Sequence, residues 1–279
     1  MKVKDVMTAD VKRVEIPGTR AEAMELLRKF KVSAVPVVKK DTGELAGMVT
    51  LRNLFDNPDE DQLAMLMDRD IPSVSPDDSL EEAARGMLRS GARRLPVVKD
   101  GKLAGIVTVR DIVYRAVATM GIEKPAADFM RTRLAAVWEG TPIRATIEIM
   151  ALAGLRVLPV IDLEGKLIGM VDDADIIGLG EVETESKMSH MAGRSEGDAW
   201  TWDSEDRIYI TKKKIKLPDK RVKDVMSKEL VTISKRTSVS KCAELMKQRK
   251  IEQTPVMSAE GELIGMIRDI DLLRALVEA

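Results

Sequence analysis

Hydrophobic and polar residues follow a pattern along this chain that changes period and then repeats. A short β-prone stretch, such as Val231-Thr232-Ile233, is followed by apolar residues at helical spacing. Two further apolar stretches then flank a turn sequence such as Asp100-Gly101, which favours a tight hairpin. A second helical stretch, such as 112–118, closes the unit. The pattern predicts a β-α-β-β-α unit of about 60 residues.

The helical spacing is clearest in the second and fourth occurrences of this unit. Apolar residues at i, i+3, i+4 and i+7 are Leu80, Ala83, Ala84 and Met87 in one and Val239, Cys242, Ala243 and Met246 in the other. Ser79 or Asp78 is predicted to cap the first of these helices, because its side-chain oxygen can accept from a free backbone N–H. Cys242 lies on the apolar face of its helix and is expected in the core.

Four sequence marks recur in one order and identify four copies of the unit. Each copy opens with a methionine motif, which reads DVMT at 5–8, MLMD at 65–68, DFMR at 128–131 and DVMS at 224–227. A strand with a proline follows, and a glycine comes 9–11 residues after it; these pairs are Pro36 and Gly47, Pro96 and Gly105, Pro159 and Gly169, and Pro255 and Gly265. The predicted boundaries are 1–60, 61–122, 123–180 and 221–279 for copies one to four, with an inserted crossover segment at 181–220.

The order of elements predicts an α/β chain of the α+β kind. One unit of this length buries only a small core and is expected to need a partner. Four copies therefore predict two pairs.

The inserted segment differs in character from the four copies. It begins with an acidic stretch at 181–186 and turns basic at 211–216. The sequence RIYITKKKIKL at 207–217 alternates and predicts an edge strand whose lysines discourage stray pairing. Trp200 and Trp202 favour burial over disorder. The segment is interpreted as a crossover packed on the surface, with a partner-docking segment as the alternative.

Composition and charge exclude several classes of function. Lys plus Arg number 45 and Asp plus Glu 46, so a net charge of −1 gives no overall attraction to nucleic acid. Aromatic residues make up 3% of the chain, which leaves few platforms for stacking bases. With one cysteine, Cys242, and one histidine, His190, the chain can form neither an internal disulfide nor a zinc site rich in Cys and His. No apolar run reaches the length of a membrane span, so a cytoplasmic location is expected.

The four-copy pattern resembles the CBS domain family, named for cystathionine β-synthase. The resemblance rests on the VM-S/T opening, the Pro-Val-Val strand, the G-[IM]-[VI] strand and the trailing Thr-x-x-Asp, and covers nearly all of the chain outside 181–220. It implies that the copies pair into two Bateman modules in a disc-like arrangement, similar to the gamma subunit of AMP-activated protein kinase and its archaeal relatives. It also implies AMP, ADP or ATP as a regulatory ligand in a cleft between paired domains.

The end of each copy carries the main candidate for a binding site. The acid position is Asn53, Asp111, Asp175 and Asp271 in copies one to four, and the position three residues before it is Thr50, Thr108, Asp172 and Arg268. Thr-x-x-Asp before an apolar run is a capping box, which is the structural interpretation. The resemblance implies the functional one, in which the acid binds ribose and the hydroxyl lies near phosphate.

The differences among the endings separate these interpretations. Arg268 has no acceptor atom, so Asp269 is expected to cap the helix of copy four, leaving Asp271 for ribose and Arg268 for phosphate. Asn53 has lost the charge, so the ribose position of copy one is expected to be empty or altered. Asp172 would repel phosphate, so the position in copy three is expected to be empty or to bind through a metal ion.

Arginines before the proline strands are the candidate phosphate ligands, because guanidinium groups bind phosphate with two hydrogen bonds. Copy two has Arg93 and Arg94, and copy three has Arg156. The first strands match the Thr-Val of the family in copies two and four, and an adenine there would be read by backbone groups. The nucleotide-binding candidates are Ser73, Val74, Arg93, Arg94, Thr108, Asp111, Arg156, Asp175, Thr232, Ile233, Arg268 and Asp271.

The sequence therefore predicts a non-catalytic regulatory protein that binds adenine nucleotides and acts on a protein partner. A homodimer remains possible. The alternatives are a scaffold protein with vestigial clefts, a protein that binds another adenosyl ligand such as S-adenosylmethionine, and a nucleic-acid-associated regulator that uses the lysines at 212–216.

Overall fold

The computed structural model describes residues 1–179, 181–190 and 207–278. Within these ranges, it describes residues 181–190 and 207–216 by their backbone alone. The chain divides into two compact units. The first consists of Met1–Arg133 and Val231–Ala279, and the second of Leu134–Leu230. Copies one and two and most of copy four therefore lie in the first unit.

The elements follow the predicted order in copies one, three and four, and copy two follows it without the first strand. Copy one contains α1 (Val3–Val6), β1 (Val14–Ile16), α2 (Arg20–Phe30), β2 (Ala34–Lys39), β3 (Leu45–Thr50) and α3 (Leu51–Asp56). Copy two contains α4 (Leu63–Leu66), α5 (Leu80–Ser90), β4 (Arg94–Lys99), β5 (Lys102–Thr108), α6 (Val109–Arg115) and a 3-10 turn (Val117–Thr119).

The second half of the chain repeats this order. Copy three contains a 3-10 turn (Ala126–Phe129), β6 (Val137–Trp138), α7 (Ile143–Ala153), β7 (Val157–Ile161), β8 (Leu167–Asp172) and α8 (Asp173–Ile177). The inserted segment contains β9 (Glu181–His190) and β10 (Arg207–Lys216). Copy four contains a 3-10 turn (Val222–Asp224), β11 (Ile233–Ser234), α9 (Val239–Arg249), β12 (Gln253–Met257), β13 (Leu263–Arg268), α10 (Asp269–Leu272) and α11 (Arg274–Val277).

Each copy forms its own small sheet. The last two strands pair antiparallel, and the first strand runs parallel to the second in copies one, three and four. Copy two keeps only a single parallel bridge, Val74 to Val97, in place of the first strand. The hairpin turn at Asp100 and Gly101 has positive φ angles of 52° and 77°, as the Asp-Gly sequence predicted. The mixed α/β fold class is confirmed.

The opening segments are exchanged between copies. The opening of copy one packs on copy two through paired backbone bonds between Thr8 and Ile106. The opening of copy two packs on copy one through Met48 and Asp68. Copies three and four make the same exchange through two corresponding bridges, Arg131 to Met266 and Met170 to Ser227. The residue after each opening methionine is therefore placed beside the ending of another copy.

Copies two and four share one hydrophobic core. Helix α5 packs against α11, and α6 packs against α9. The predicted apolar positions are fully buried in this core; they are Leu80, Ala83, Ala84, Met87, Val239, Cys242, Ala243 and Met246. Ser79 caps α5, since its hydroxyl accepts from Glu82 N at 3.1 Å. The core therefore joins stretches that lie more than 100 residues apart in the chain.

The predicted strand at 207–217 is present as β10, and its partner is β9. The two strands pair antiparallel, with Glu181 opposite Lys216 and His190 opposite Arg207. Trp200 and Trp202 lie outside the described residues. In the described part of the chain, no helix is both long enough and apolar enough to cross a membrane.

Candidate functional site

A cavity of about 510 Å³ lies between copies one and two. Its walls come from the ends of β2 and β3, from the opening of copy two, and from the loop that precedes β4. The lining residues are Ser33, Ala34, Met48, Thr50, Leu51, Arg52, Asp68, Ile71, Pro72, Ala92, Arg93, Arg94 and Pro96. Just over half of the lining residues are apolar, and the charged groups beside Thr50 are three arginines and the Asp68 carboxylate.

The ending of copy one contributes Thr50 and Asn53 beside this cavity. Thr50 caps α3, because its hydroxyl accepts from Asn53 N at 3.2 Å. The Asn53 side-chain oxygen accepts from both the backbone N–H and the hydroxyl of Thr50. The Asn53 amide nitrogen donates to both carboxylate oxygens of Asp68, at 3.2 and 3.1 Å. The acid position of copy one is therefore altered, and a carboxylate lies beside it that belongs to copy two.

Arg94 brings a cation to the cavity without a carboxylate partner in the described chain. Its guanidinium donates to the neutral hydroxyl of Ser33 at 2.9 Å. Burial and the neighbouring charge of Arg93 lower the pKa of Arg94, because both disfavour its charged form, and the Glu252 charge opposes them only in part. A partly buried guanidinium in this state favours an anion nearby.

Arg93 also lines the cavity but is already paired with acids of copy four. Its guanidinium donates to Asp269 at 2.7 Å and to Glu252 at 3.0 Å. The Asp269 side chain is 1% exposed. Burial raises the pKa of Asp269, and the Arg93 charge opposes that rise. Arg93 therefore connects the cavity to the start of α10.

The ending of copy two forms the predicted capping box. Thr108 accepts from Asp111 N at 3.1 Å, and Asp111 accepts from both the backbone N–H and the hydroxyl of Thr108. Arg115 lies 3.7 Å from the Asp111 carboxylate. Thr108 and Asp111 do not line the cavity that contains Arg93 and Arg94. The arginines instead contact copies one and four, through Ser33 and Asp269. The grouping of these four residues into one site stays a prediction.

The ending of copy four differs from the sequence-based expectation. Asp271 accepts from Arg268 N at 3.1 Å and receives two further bonds from the Arg268 guanidinium, at 3.0 and 2.9 Å. Arg131 from the opening of copy three lies 3.6 Å away. Arg268 occupies the N-cap position, and Asp269 accepts from the first-turn N–H of Ile270 at 2.7 Å, so it satisfies one free donor of α10. Asp271 is not left free, and the pairing raises the pKa of Arg268.

The ending of copy three is also engaged in local contacts. Asp172 caps α8 by accepting from Ala174 N at 2.8 Å. Arg156 donates two bonds to Asp173, at 3.0 and 3.2 Å. Burial and the neighbouring Asp173 raise the pKa of Asp172, whereas Arg156 lowers that of Asp173 against the effect of burial. Asp175 is exposed.

Of the four residues predicted to contact the base, two are buried in the core and two are exposed. Val74 and Ile233 are buried in the shared core. The backbone N–H and C=O of Val74 are both bonded to the strand that contains Pro96 and Val98. Ser73 and Thr232 are exposed. The N–H of Val74 is therefore not free to donate to a base, and its carbonyl oxygen keeps one acceptor site.

Of the residues that line the cavity, sequence reasoning proposed only Arg93 and Arg94 as ligand contacts, and it missed the carboxylate of Asp68. The signal was available, because the residue after the opening methionine is Thr8, Asp68, Arg131 and Ser227 in the four copies. Only copy two has a carboxylate there. Its role required the exchange of openings, which places Asp68 beside Asn53 of copy one.

The comparisons with known proteins cover the whole chain. The CBS domain model matches residues 3–60, 63–118, 126–180 and 222–278. The crystal structure of an uncharacterized conserved protein from Pyrococcus horikoshii has a TM-score of 0.73 and 31% identity, over 99% of this chain and 100% of that one. MJ1225 from Methanocaldococcus jannaschii, described as a candidate archaeal homolog of g-AMPK, has a TM-score of 0.66 and 17% identity, over 99% and 100% of the two chains.

Sequence comparison gives the same kind of relative. MJ1225 is 26% identical over 196 residues, which is 63% of this chain and 68% of MJ1225. MJ1404 of the same organism is 25% identical over 279 residues, which is 99% of this chain and 62% of MJ1404. The matches thus span about two thirds of each of these curated relatives. With four matched segments that account for most of its length, the chain belongs to the CBS domain family.

Proposed function

We propose that this protein is a non-catalytic regulator that binds an adenine nucleotide (AMP, ADP or ATP) in the cavity between copies one and two. Ligand binding stabilises one arrangement of the copies, and a protein partner distinguishes that arrangement by its different affinity for it. The cytoplasm is the proposed location.

The size and lining of the cavity support a nucleoside. Its volume of about 510 Å³ lies in the range of small-molecule sites. Met48, Leu51, Ile71, Pro72 and Pro96 give apolar surface against which a purine can pack. Polar groups lie around Thr50, Arg93 and Arg94, so the ligand that fits has one apolar part and one anionic part.

The observation that carries the proposal is the state of Arg94. Among the described residues its guanidinium forms no ion pair with a carboxylate, although the Glu252 charge acts on it from a distance, and its hydrogen bond goes to Ser33. Two adjacent arginines repel each other, so binding an anion relieves an unfavourable charge arrangement as well as forming new bonds. The anionic part of the ligand is therefore placed at Arg94, with Arg93 beside it.

Calorimetric titration of the full chain with AMP, ADP, ATP and S-adenosylmethionine tests this proposal. We expect binding of at least one adenine nucleotide, and a loss of affinity of about tenfold or more in Arg94→Gln, because hydrogen bonds to charged groups are strong. Tighter binding of S-adenosylmethionine than of the three nucleotides would identify a different adenosyl ligand.

The matched control is Arg89→Gln. Arg89 is an exposed arginine in the last turn of α5 that does not line the cavity. This variant should bind nucleotide as the wild type does. Equal affinities in wild type and Arg94→Gln, or no binding by the wild type, would contradict the proposal.

A second candidate function is that of a scaffold with closed clefts, and the ending of copy four favours it locally. Arg268 occupies the Asp271 carboxylate with two hydrogen bonds. A ligand hydroxyl would have to displace this pair. If nucleotides give no heat and a partner binds equally well to wild type and Asp111→Ala, the scaffold role is the better account.

A further inference from the structure

We propose that Asp68, from the opening of copy two, is the residue that binds a ligand's vicinal diol in the cavity of copy one and selects ribonucleotides over 2′-deoxyribonucleotides. The inference rests on the proposed function, because it specifies how the same cavity recognises its ligand. It assigns the binding of the diol to the opening of copy two, which lies outside the Thr-x-x-Asp ending.

The orientation of the Asn53 amide is fixed by its surroundings. Its oxygen accepts from Thr50 N at 2.8 Å and from the Thr50 hydroxyl, so the oxygen faces the start of α3. The amide nitrogen consequently faces Asp68. An amide with its oxygen already engaged offers a ligand diol no free acceptor at this position. The acceptor beside the cavity is therefore Asp68.

The position of Asp68 is determined by its backbone as well. Met48 and Asp68 exchange two backbone hydrogen bonds, of 2.9 and 2.8 Å. Gly47 permits this approach, since a Cβ on Gly47 would lie 2.4 Å from the Asp68 carbonyl oxygen. Asn53 then holds the side chain. A ligand group bound by this carboxylate loses little affinity to ordering of the protein, because both the backbone and the side chain are already held.

Comparison of the four endings shows that the carboxylate of copy one lies on the facing opening and not at the acid position. Copies two, three and four have a carboxylate at the acid position, and Thr8, Ser227 or Arg131 at the opening that faces it. Copy one has the reverse, an amide at the acid position and a carboxylate at the opening. Two carboxylates at this distance would repel each other, so Asn53 and Asp68 are understood as one exchanged pair.

Carboxylate chemistry fits a vicinal diol. An ionised carboxylate only accepts hydrogen bonds and has about four acceptor sites, of which the Asn53 amide engages two. In the described residues, no cation forms an ion pair with Asp68. Its remaining acceptor sites suit two neighbouring hydroxyl donors, as acids do for the ribose of dinucleotides. A ligand that lacks the 2′-hydroxyl leaves one of them unused.

The test is calorimetric titration of the full chain with AMP and 2′-deoxy-AMP. The wild type should bind AMP about tenfold more tightly than 2′-deoxy-AMP. Asp68→Asn should lose about tenfold or more in AMP affinity and bind the two ligands equally. The matched control Asp70→Asn removes one exposed carboxylate two residues away and should keep both the affinity and the discrimination.

The outcomes separate this inference from the proposed function. If the wild type binds AMP and Asp68→Asn keeps its affinity and discrimination, the role of Asp68 is wrong while the nucleotide site stands. If the wild type binds none of the nucleotides, the proposed function fails and this inference fails with it.

A double variant gives a gain-of-function test that does not depend on loss of binding. Asn53→Asp combined with Asp68→Thr rebuilds in copy one the arrangement of Asp111 and Thr8 seen in copy two. It should regain most of the AMP affinity and the preference for the ribose form that Asp68→Asn loses. If this double variant folds but does not discriminate the two ligands, the interpretation of Asn53 and Asp68 as an exchanged pair is wrong.

Discussion

At the scale of single residues, the contact between Arg93 and Asp269 combines a cost of burial with a stabilising charge. The Asp269 side chain is 1% exposed, and the 2.7 Å bond from Arg93 offsets part of the desolvation of its charge. Removing one partner of a buried pair costs more than the pair contributes, because the other charge stays buried without compensation.

We predict that Arg93→Gln destabilises the fold by about 1–2 kcal/mol at neutral pH, because Asp269 is buried while the Arg93 side chain is 40% exposed and screened by solvent. Burial already raises the pKa of Asp269 in the wild type, and the loss of Arg93 raises it further. The carboxylate therefore becomes protonated more readily in the variant, and the penalty shrinks as the pH falls toward about 5. Urea unfolding of variant and wild type across this pH range measures the difference.

The control is the same substitution in an Asp269→Asn background. There Arg93→Gln should have little effect, and the difference between the two backgrounds gives the coupling of the pair. A destabilisation that is independent of pH, or equal in both backgrounds, would mean that Arg93 acts through packing alone.

At the scale of elements, the exchange of openings depends on close approach to a glycine. The Asp68 carbonyl oxygen would be 2.4 Å from a Cβ at Gly47, and the Thr8 carbonyl oxygen 2.8 Å from one at Gly105. At Gly169 and Gly265 the corresponding neighbours are the sulfurs of Met226 and Met130, at 2.4 and 2.5 Å. The recurrent glycine and methionine are thus the two sides of one contact.

We expect Gly47→Ala to destabilise the fold by about 1–3 kcal/mol, because a backbone carbonyl must move to admit the methyl group. The same displacement moves Asp68, so AMP affinity should fall as well. Thermal unfolding and calorimetry measure the two effects.

Gly86→Ala is the matched control, and it is expected to stabilise the fold where Gly47→Ala destabilises it. Gly86 lies inside α5, and a Cβ there would meet only Leu95 Cδ1 at 3.4 Å. Alanine is favoured over glycine in a helix, so this variant should gain up to about 1 kcal/mol. Equal effects of the two substitutions would show that the opening does not need the close approach at Gly47.

At the scale of the whole molecule, one core connects copy two with copy four. Ser240 ties the two copies at its edge: its hydroxyl donates to Val117 O at 2.6 Å and accepts from Ile122 N at 2.8 Å. Cys242 is buried two residues further along α9, and burial raises the pKa of its thiol to about 12. The thiol is thus both protonated and inaccessible at neutral pH, which makes it unreactive.

We predict that Cys242 reacts slowly with a thiol reagent in the native protein and quickly once the protein unfolds. Ser240→Ala should cost about 1–3 kcal/mol, because it leaves Ile122 N without its partner and removes the shorter of two hydrogen bonds to Val117 O, and it should accelerate the reaction. Ser90→Ala, at the exposed end of α5, should leave the rate unchanged. Fast modification of the folded wild type would contradict the shared core.

The sequence and the structure agree most closely where local patterns decide. The apolar positions of α5 and α9, the Ser79 cap and the Asp100-Gly101 turn could be predicted because each depends on residues a few positions apart. Capping by Thr108 and Asp111 followed for the same reason. The arrangement at the end of copy four could not be predicted in this way. The Arg268 side chain folds back onto Asp271, and no sequence pattern distinguishes an acid paired in this way from a free acid.

The sequence by itself determined the repeat, the elements of each copy and the family, because periodicity, turn residues and recurrent motifs are local properties. Only the tertiary structure decided which copies share residues. Contacts such as Asp68 with Asn53, or Arg93 with Asp269, form across chain separations of 15 and 176 residues. They depend on how the openings are exchanged and how the helices pack, and nothing near either residue in the sequence specifies its partner.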